Sequence, residues 1–169
     1  MSVEERIARL EHLEAIRAVE AAYRDHWDST RAQEWANLFS PDGVFRRADV
    51  AGVAGHVQRG REQLAEFCRT LQVGYGRFHM LTTMDVKLDG PDRAHSRIGF
   101  LCRMTSTGEY PRASLVTGYY DTRYVLVEGR WLIDTKVERQ VFRDDHAYFG
   151  VFDDDMPLSG SEGAFDDAR

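Results

Sequence analysis

An imidazole takes a proton from carbon or oxygen readily near neutral pH. A buried carboxylate on its other ring nitrogen sets the tautomer and stabilises the imidazolium that forms. A nearby phenol can polarise a carbonyl or hold a developing enolate oxygen. The chain offers residues of all three types. His79 stands alone at the start of a long β-prone stretch. Tyr23 precedes Asp28 by about one helical turn, so both can face the same pocket mouth. Each also has a plain structural reading: Tyr23 as a core aromatic, Asp28 as a helix end or cap, His79 as a satisfied strand histidine. His12, His56 and His95 read as surface residues, and His26 beside Trp27 fits either role. Asp144-Asp145-His146 has metal-ligand residue types, but its adjacency reads as a solvated turn. No Gly-rich phosphate loop, GxSxG elbow or HExxH helix occurs, which excludes nucleotide hydrolysis, serine hydrolysis and zincin chemistry. Nothing in these motifs calls for a cofactor or a metal.

The chain has 169 residues, the size of one domain, and 43% of them are hydrophobic, enough for a sizeable core. The net charge of −6 leaves no basic stripe for nucleic acid. No long apolar run predicts a membrane span. The start, MSVEERIARLEHLEAI, is charged and lacks a leader's apolar region, so the expected compartment is the cytoplasm. Cys68 and Cys102 are far apart and read as reduced, buried thiols.

The elements that must position these groups follow from periodicity. Ser2 and Glu5 are spaced as a capping box. Ile7, Leu10, Leu13, Ile16, Val19, Tyr23 and Trp27 then make one apolar stripe of a helix over 3–27, with charges on the opposite face. Thr30 and Gln33 suggest a second capping box, for a short helix with Trp35, Leu38 and Phe39 inward, stopped by Pro41-Asp42-Gly43. Val44-Phe45 and residues 53–58 read as two short strands. Gly60 precedes a third helix bearing Leu64, Phe67, Cys68 and Leu71, which Gly74 and Gly76 end. Four long strands follow, over 77–88, 94–105, 115–127 and 131–142, with hairpin-length links. They predict an antiparallel meander that must twist, with Gly99 and Gly118 as bend points. Along the third of these strands Thr117, Tyr119, Asp121 and Arg123 share one face, and Gly118, Tyr120, Thr122 and Tyr124 the other. The fold class is therefore α+β, a cone-shaped α+β barrel with N-terminal helices on a long curved antiparallel sheet. Residues 1–150 form the domain, and 151–169 an acidic, small-residue tail expected to be mobile. Tyr148 to Phe152 is apolar enough to act as a lid or a subunit contact.

Several strings in this order carry a resemblance. They are Tyr23-Arg-Asp-His-Trp-Asp28, Trp35-Ala-Asn-Leu-Phe-Ser-Pro-Asp42-Gly-Val-Phe45, Gly60-Arg61-Glu62, the lone His79, and Gly118-Tyr-Tyr-Asp-Thr-Arg-Tyr124 with Gly129-Arg130-Trp131-Leu-Ile133. The chain resembles the SnoaL-like and scytalone-dehydratase-like branch of the nuclear transport factor 2-like superfamily over roughly residues 5 to 142. The resemblance implies a pocket for a small apolar or polycyclic compound, and association as a homo-oligomer, dimer or trimer. In the family's dehydratases an Asp at the end of helix 1 pairs with a His on the sheet, and Asp28 and His79 stand at those places. The corresponding Tyr, here Tyr23, would polarise a substrate carbonyl. Some members carry an acid on the second long strand, where this chain has Cys102. Trp27, Phe45, Phe100, Cys102, Tyr119 and Arg139 are the expected substrate contacts. The implied activity is a cofactor-independent lyase or isomerase, dehydratase-like, acting on a hydroxylated carbonyl compound of steroid or polyketide type. The alternatives are a non-catalytic binder or accessory protein of the same fold, and a polyketide-type cyclase or epoxide-opening enzyme.

Overall fold

Ser2 and Glu5 close the expected capping box, each bonding the other's main chain, and start α1 (Val3–Asp28). The computed structural model describes residues 1–49, 54–72, 75–106 and 113–144. The lid and tail expectations, and Asp145-His146, lie outside them. The apolar stripe of α1 is covered only in its second half. Ile16 and Tyr23 are buried, whereas Val3, Ile7 and Leu10 are exposed. Charge is not confined to the outer face either: Glu20 lies in the stripe, one turn after Ile16, and is buried.

The second helix, α2 (Ala32–Ala36), is capped by Arg31 with no side-chain cap bond. Thr30 is not its cap. Its backbone turns left-handed at φ 59°, and the Arg31 guanidinium pairs with Asp25 instead. Pro41-Asp42-Gly43 does not end the helix. It bulges out of β1 (Phe39–Arg47), whose register against its neighbour shifts between Phe39 and Val44. A bulge is where a strand tolerates proline. The Arg61 guanidinium pins that bulge by donating to the Phe39 carbonyl at 2.7 and 2.9 Å. Then come β2 (His56–Arg59), α3 (Gly60–Gln72) and the four long strands β3 (Tyr75–Leu88), β4 (Arg93–Ser106), β5 (Ala113–Val127) and β6 (Arg130–Asp144). Gly76 falls inside β3 rather than ending α3. Gly60 opens α3 at φ +76°, a conformation that favours glycine. Glu128 and Gly129, both at positive φ, form the tight β5–β6 turn.

The sheet order is β2-β1-β6-β5-β4-β3. β3 to β6 form the expected antiparallel meander, while β1 runs parallel to β6, so the whole sheet is mixed and not closed on itself. It is a half-open cone with the helices across its concave face. Both bend points are used. The β3 register shifts between Leu81 and Met84, opposite Gly99, whose N–H donates to Thr82 Oγ1. β5 shifts against β6 between Thr117 and Gly118. A Cβ on Gly118 would lie 1.9 Å from the Arg139 carbonyl oxygen. Gly118→Ala is therefore expected to cost about 1–3 kcal/mol through forced backbone movement. Urea unfolding measures it, and an unchanged midpoint would show that the sheet is not locked there. No described helix is long and apolar enough to cross a membrane.

Candidate functional site

Asp28 ends α1 where the helix reaches the start of β3. Its Oδ2 accepts the main-chain N–H of His79 at 2.8 Å, and its Oδ1 meets His79 Nδ1 at 2.5 Å. The amide fixes the carboxylate and the carboxylate fixes the ring. Because an ionised carboxylate only accepts, Nδ1 carries a proton and Nε2 of the neutral ring is the free base. Burial pushes the Asp28 carboxyl up, but the two His79 hydrogen bonds, with the His79 and Arg24 charges, outweigh it and hold the carboxyl below its usual range.

His79 opens on a cavity of about 230 Å³ between the helices and the concave face. Trp27, Phe45, Phe67, Phe100 and Tyr120 supply aromatic wall. Phe100 stacks on Tyr120 at 4.4 Å, and Trp27 packs on Trp35 at 4.7 Å. The polar lining is Tyr23, His56, His79, Ser114, Glu138 and Gln140, with Arg47 and Arg77. Burial keeps the Tyr23 and Tyr120 phenols protonated well beyond the usual range, so they act as neutral donors. Burial, with Asp28 and Glu138 nearby, pushes the Cys102 thiol up to about 12, so it is a wall and not a nucleophile. Cys68 is buried too, and neither cysteine forms a disulfide among the described residues.

The cavity gathers Tyr23, Trp27, Phe45, His79, Phe100 and Cys102, all singled out from the sequence. Tyr119 and Arg139 are not among its lining residues. They belong to the outer face, where Asp121 is buried between the Arg97 and Arg139 guanidinium groups at 2.6 and 3.1 Å and Arg97 lies over the Tyr119 ring. Of the histidines read as surface residues, His12 accepts from Trp131 Nε1 and His95 meets Asp89. His56 differs: it lines the cavity against Phe45 and Phe67, and burial, aided by Arg47, lowers its pKa. Glu138 was not visible as a site residue from the sequence. Polar residues on a strand are ordinarily taken as outward, yet Lys136, Glu138 and Gln140 turn the polar side of β6 inward. Burial raises the Glu138 carboxyl against the pull of its Gln140 bond and of the His79, Arg47 and Lys136 charges. Among the described residues no group of three His, Cys, Asp or Glu is placed to hold a metal.

Residues 8–137 match the model of the SnoaL-like domain. No curated protein matches the chain. Among solved structures, a putative scytalone dehydratase from Novosphingobium aromaticivorans superposes with a TM-score of 0.72 at 21% identity, covering 86% of this chain and 95% of that one. A hexachlorocyclohexane dehydrochlorinase (LinA, type 2) gives a TM-score of 0.73 at 15% identity, covering 89% and 99%. A function unknown protein from Mycobacterium tuberculosis gives 0.66 at 24% identity, covering 83% and 76%. These likenesses show the fold.

Proposed function

Since this chain belongs to the SnoaL-like family, whose fold hosts many chemistries, we propose that it is a cofactor-independent lyase, dehydratase-like, acting on a small hydrophobic hydroxylated carbonyl compound. The observation that carries this reading is the two-point Asp28–His79 clamp at the wall of an aromatic cavity. His79 Nε2 takes the proton from the carbon next to the substrate carbonyl. Asp28 holds the ring and stabilises the imidazolium. The Tyr23 phenol donates to the enolate oxygen as charge develops there. The hydroxyl on the next carbon then leaves and the double bond forms. With a β,γ-unsaturated ketone in place of the hydroxy ketone, the same proton returned at the γ carbon of the dienolate would give an isomerisation. The cavity volume falls just below the ~300–1,000 Å³ usual for drug-sized ligands, which favours the small end of the substrate class. Two of the solved structures of this fold are named for eliminations, one of water and one of hydrogen chloride, which agrees with this reading. A pure binder has no need of a clamped imidazole.

The test is direct. The benzylic β-hydroxy ketone that dehydrates to benzalacetone, and related aryl β-hydroxy ketones, are incubated with the protein in D₂O. Enone absorbance is expected to appear, or deuterium to enter next to the carbonyl. A protein that binds such ketones but produces neither signal would be a binder.

A further inference from the structure

We infer that Glu138 is a second catalytic group of this cavity, the acid that protonates the departing hydroxyl. The inference rests on the elimination reading above and completes it. Hydroxide is a poor leaving group, so its loss needs a proton donor at the oxygen while the base works at carbon. His79 cannot fill both places at once, because Asp28 occupies its Nδ1 and its Nε2 faces the carbon. Asp28 is engaged by His79 through both oxygens. Cys102, Tyr23 and Tyr120 are much weaker acids. Glu138 is the one carboxyl among the described lining residues.

Its placement fits the role. The register puts Glu138 of β6 between Tyr120 of β5 and Arg47 of β1, on a row of the sheet separate from the His79–Cys102 pair. Its Oε1 accepts from Gln140 Nε2 at 2.6 Å, which holds the carboxyl in place. Its Oε2 makes no hydrogen bond to the described residues. The groups facing it are His79, Arg47, Lys136, Tyr23, Tyr120 and Cys102, with Arg77 and His56 elsewhere in the lining. Burial prevails over these cations and favours the protonated form. In the step, the C–H electron pair becomes the new C=C and its proton goes to His79 Nε2. The C–O bond breaks with its electrons on oxygen, and that oxygen takes the Glu138 proton to leave as water. Proton transfer from the imidazolium to the Glu138 carboxylate, directly or through solvent, resets the site.

Glu138→Gln keeps the shape and a carbonyl for Gln140. With the benzylic β-hydroxy ketone, turnover is expected to fall about 10²-fold or more. With its β-chloro counterpart, whose chloride needs no proton, the loss is expected to be severalfold at most. Equal losses on both would overturn the assignment and leave Glu138 a structural residue, and no loss on either would also overturn it. A wild-type protein that eliminates neither would instead remove the elimination reading itself. A second readout needs no substrate. Because the folded-state pKa is raised above the unfolded value of 4.5, the wild-type carboxyl contributes stability below that pH and loses it as pH rises through the folded pKa. Glu138→Gln is thus expected to melt above wild type at neutral and higher pH, with the gap closing in acid. A carboxylic-acid C=O stretch that persists above pH 4.5, and vanishes in Glu138→Gln, is the matching infrared signature. A variant that melts below wild type at neutral pH, with no such band lost, would show an ionised, ion-paired Glu138 and refute the inference.

Discussion

His79→Ala is expected to lower turnover by about 10²–10⁴-fold, the contribution of a positioned general base, with little change in substrate affinity. The imidazole side chain is 10% exposed and its Nδ1 is committed to Asp28, which leaves Nε2 to act as the base. Asp28→Asn should reproduce most of that loss by another route. The amide keeps the shape, but it can present its NH₂ to Nδ1, release the tautomer and leave the imidazolium without a counter-charge. The two variants separate cleanly in pH. Asp28 has a folded pKa below its unfolded value of 3.8. Its contribution to stability is therefore complete above that pH and is lost as pH falls through the folded pKa. Wild type and Asp28→Asn should differ in melting temperature at neutral pH and converge in acid. His79→Ala should narrow the gap at neutral pH, because it removes one of the two bonds that lower Asp28. Steady-state kinetics decide the catalytic part: a His79→Ala protein that folds and turns over at the wild-type rate would take the base role away from His79.

Much of the fold is legible because its signals are local. The Ser2–Glu5 box, the Glu128-Gly129 turn and the four long β-prone runs each state their structure within a few residues. Errors arise where distant contacts decide. Pro41-Asp42-Gly43 carries every mark of a helix stop. It becomes a bulge because β1 pairs with β6, nearly a hundred residues away, and Arg61 secures the Phe39 carbonyl. Thr30 has a cap's residue type, but Arg31 finds Asp25, and the turn goes left-handed. Ile7 and Leu10 belong to a real stripe, yet nothing described covers them.

The candidate site divides in the same way. Tyr23, Asp28 and His79 are visible because helix position and a lone strand histidine mark them. The inward face of the sheet is not legible in the sequence, since Tyr119 and Tyr120 are chemically alike and the alternation works equally well in both directions. The structure turns Tyr120 inward and Tyr119 outward onto Arg97. Glu138 hides for a deeper reason. Polar-outward alternation describes ordinary cores, and a site is a place where that rule is reversed. Cys102 drew attention to a missing acid on β4, while the carboxyl stands two strands over, on β6.

The largest expected loss of stability belongs to a second reversal on the same strand. Lys136 is completely buried, and its ammonium bonds Glu20 Oε2 at 2.6 Å and Thr122 Oγ1 at 3.2 Å. Glu20 also receives the Tyr124 hydroxyl at 2.5 Å, which is shared with Ser96. The same ammonium lies 4.2 Å from the Tyr23 ring centre and 4.6 Å from that of Tyr120, so it braces the floor of the cavity. Burial lowers the Lys136 pKa, and Glu20 opposes that shift. The pair ties α1 to β6 at the height where Tyr23 enters the cavity. Glu20→Leu leaves a buried ammonium without its counter-ion and is expected to cost about 3–5 kcal/mol. That is a large share of the ~5–15 kcal/mol that holds a domain folded. Glu20→Leu with Lys136→Met removes both charges and should recover most of the loss, since a buried pair contributes little net stability against apolar replacements. Urea unfolding of wild type, the single variant and the double variant measures both quantities. If Glu20→Leu unfolds at the wild-type midpoint, water reaches Lys136, and the closed aromatic floor beneath Tyr23 and Tyr120 would not exist in solution.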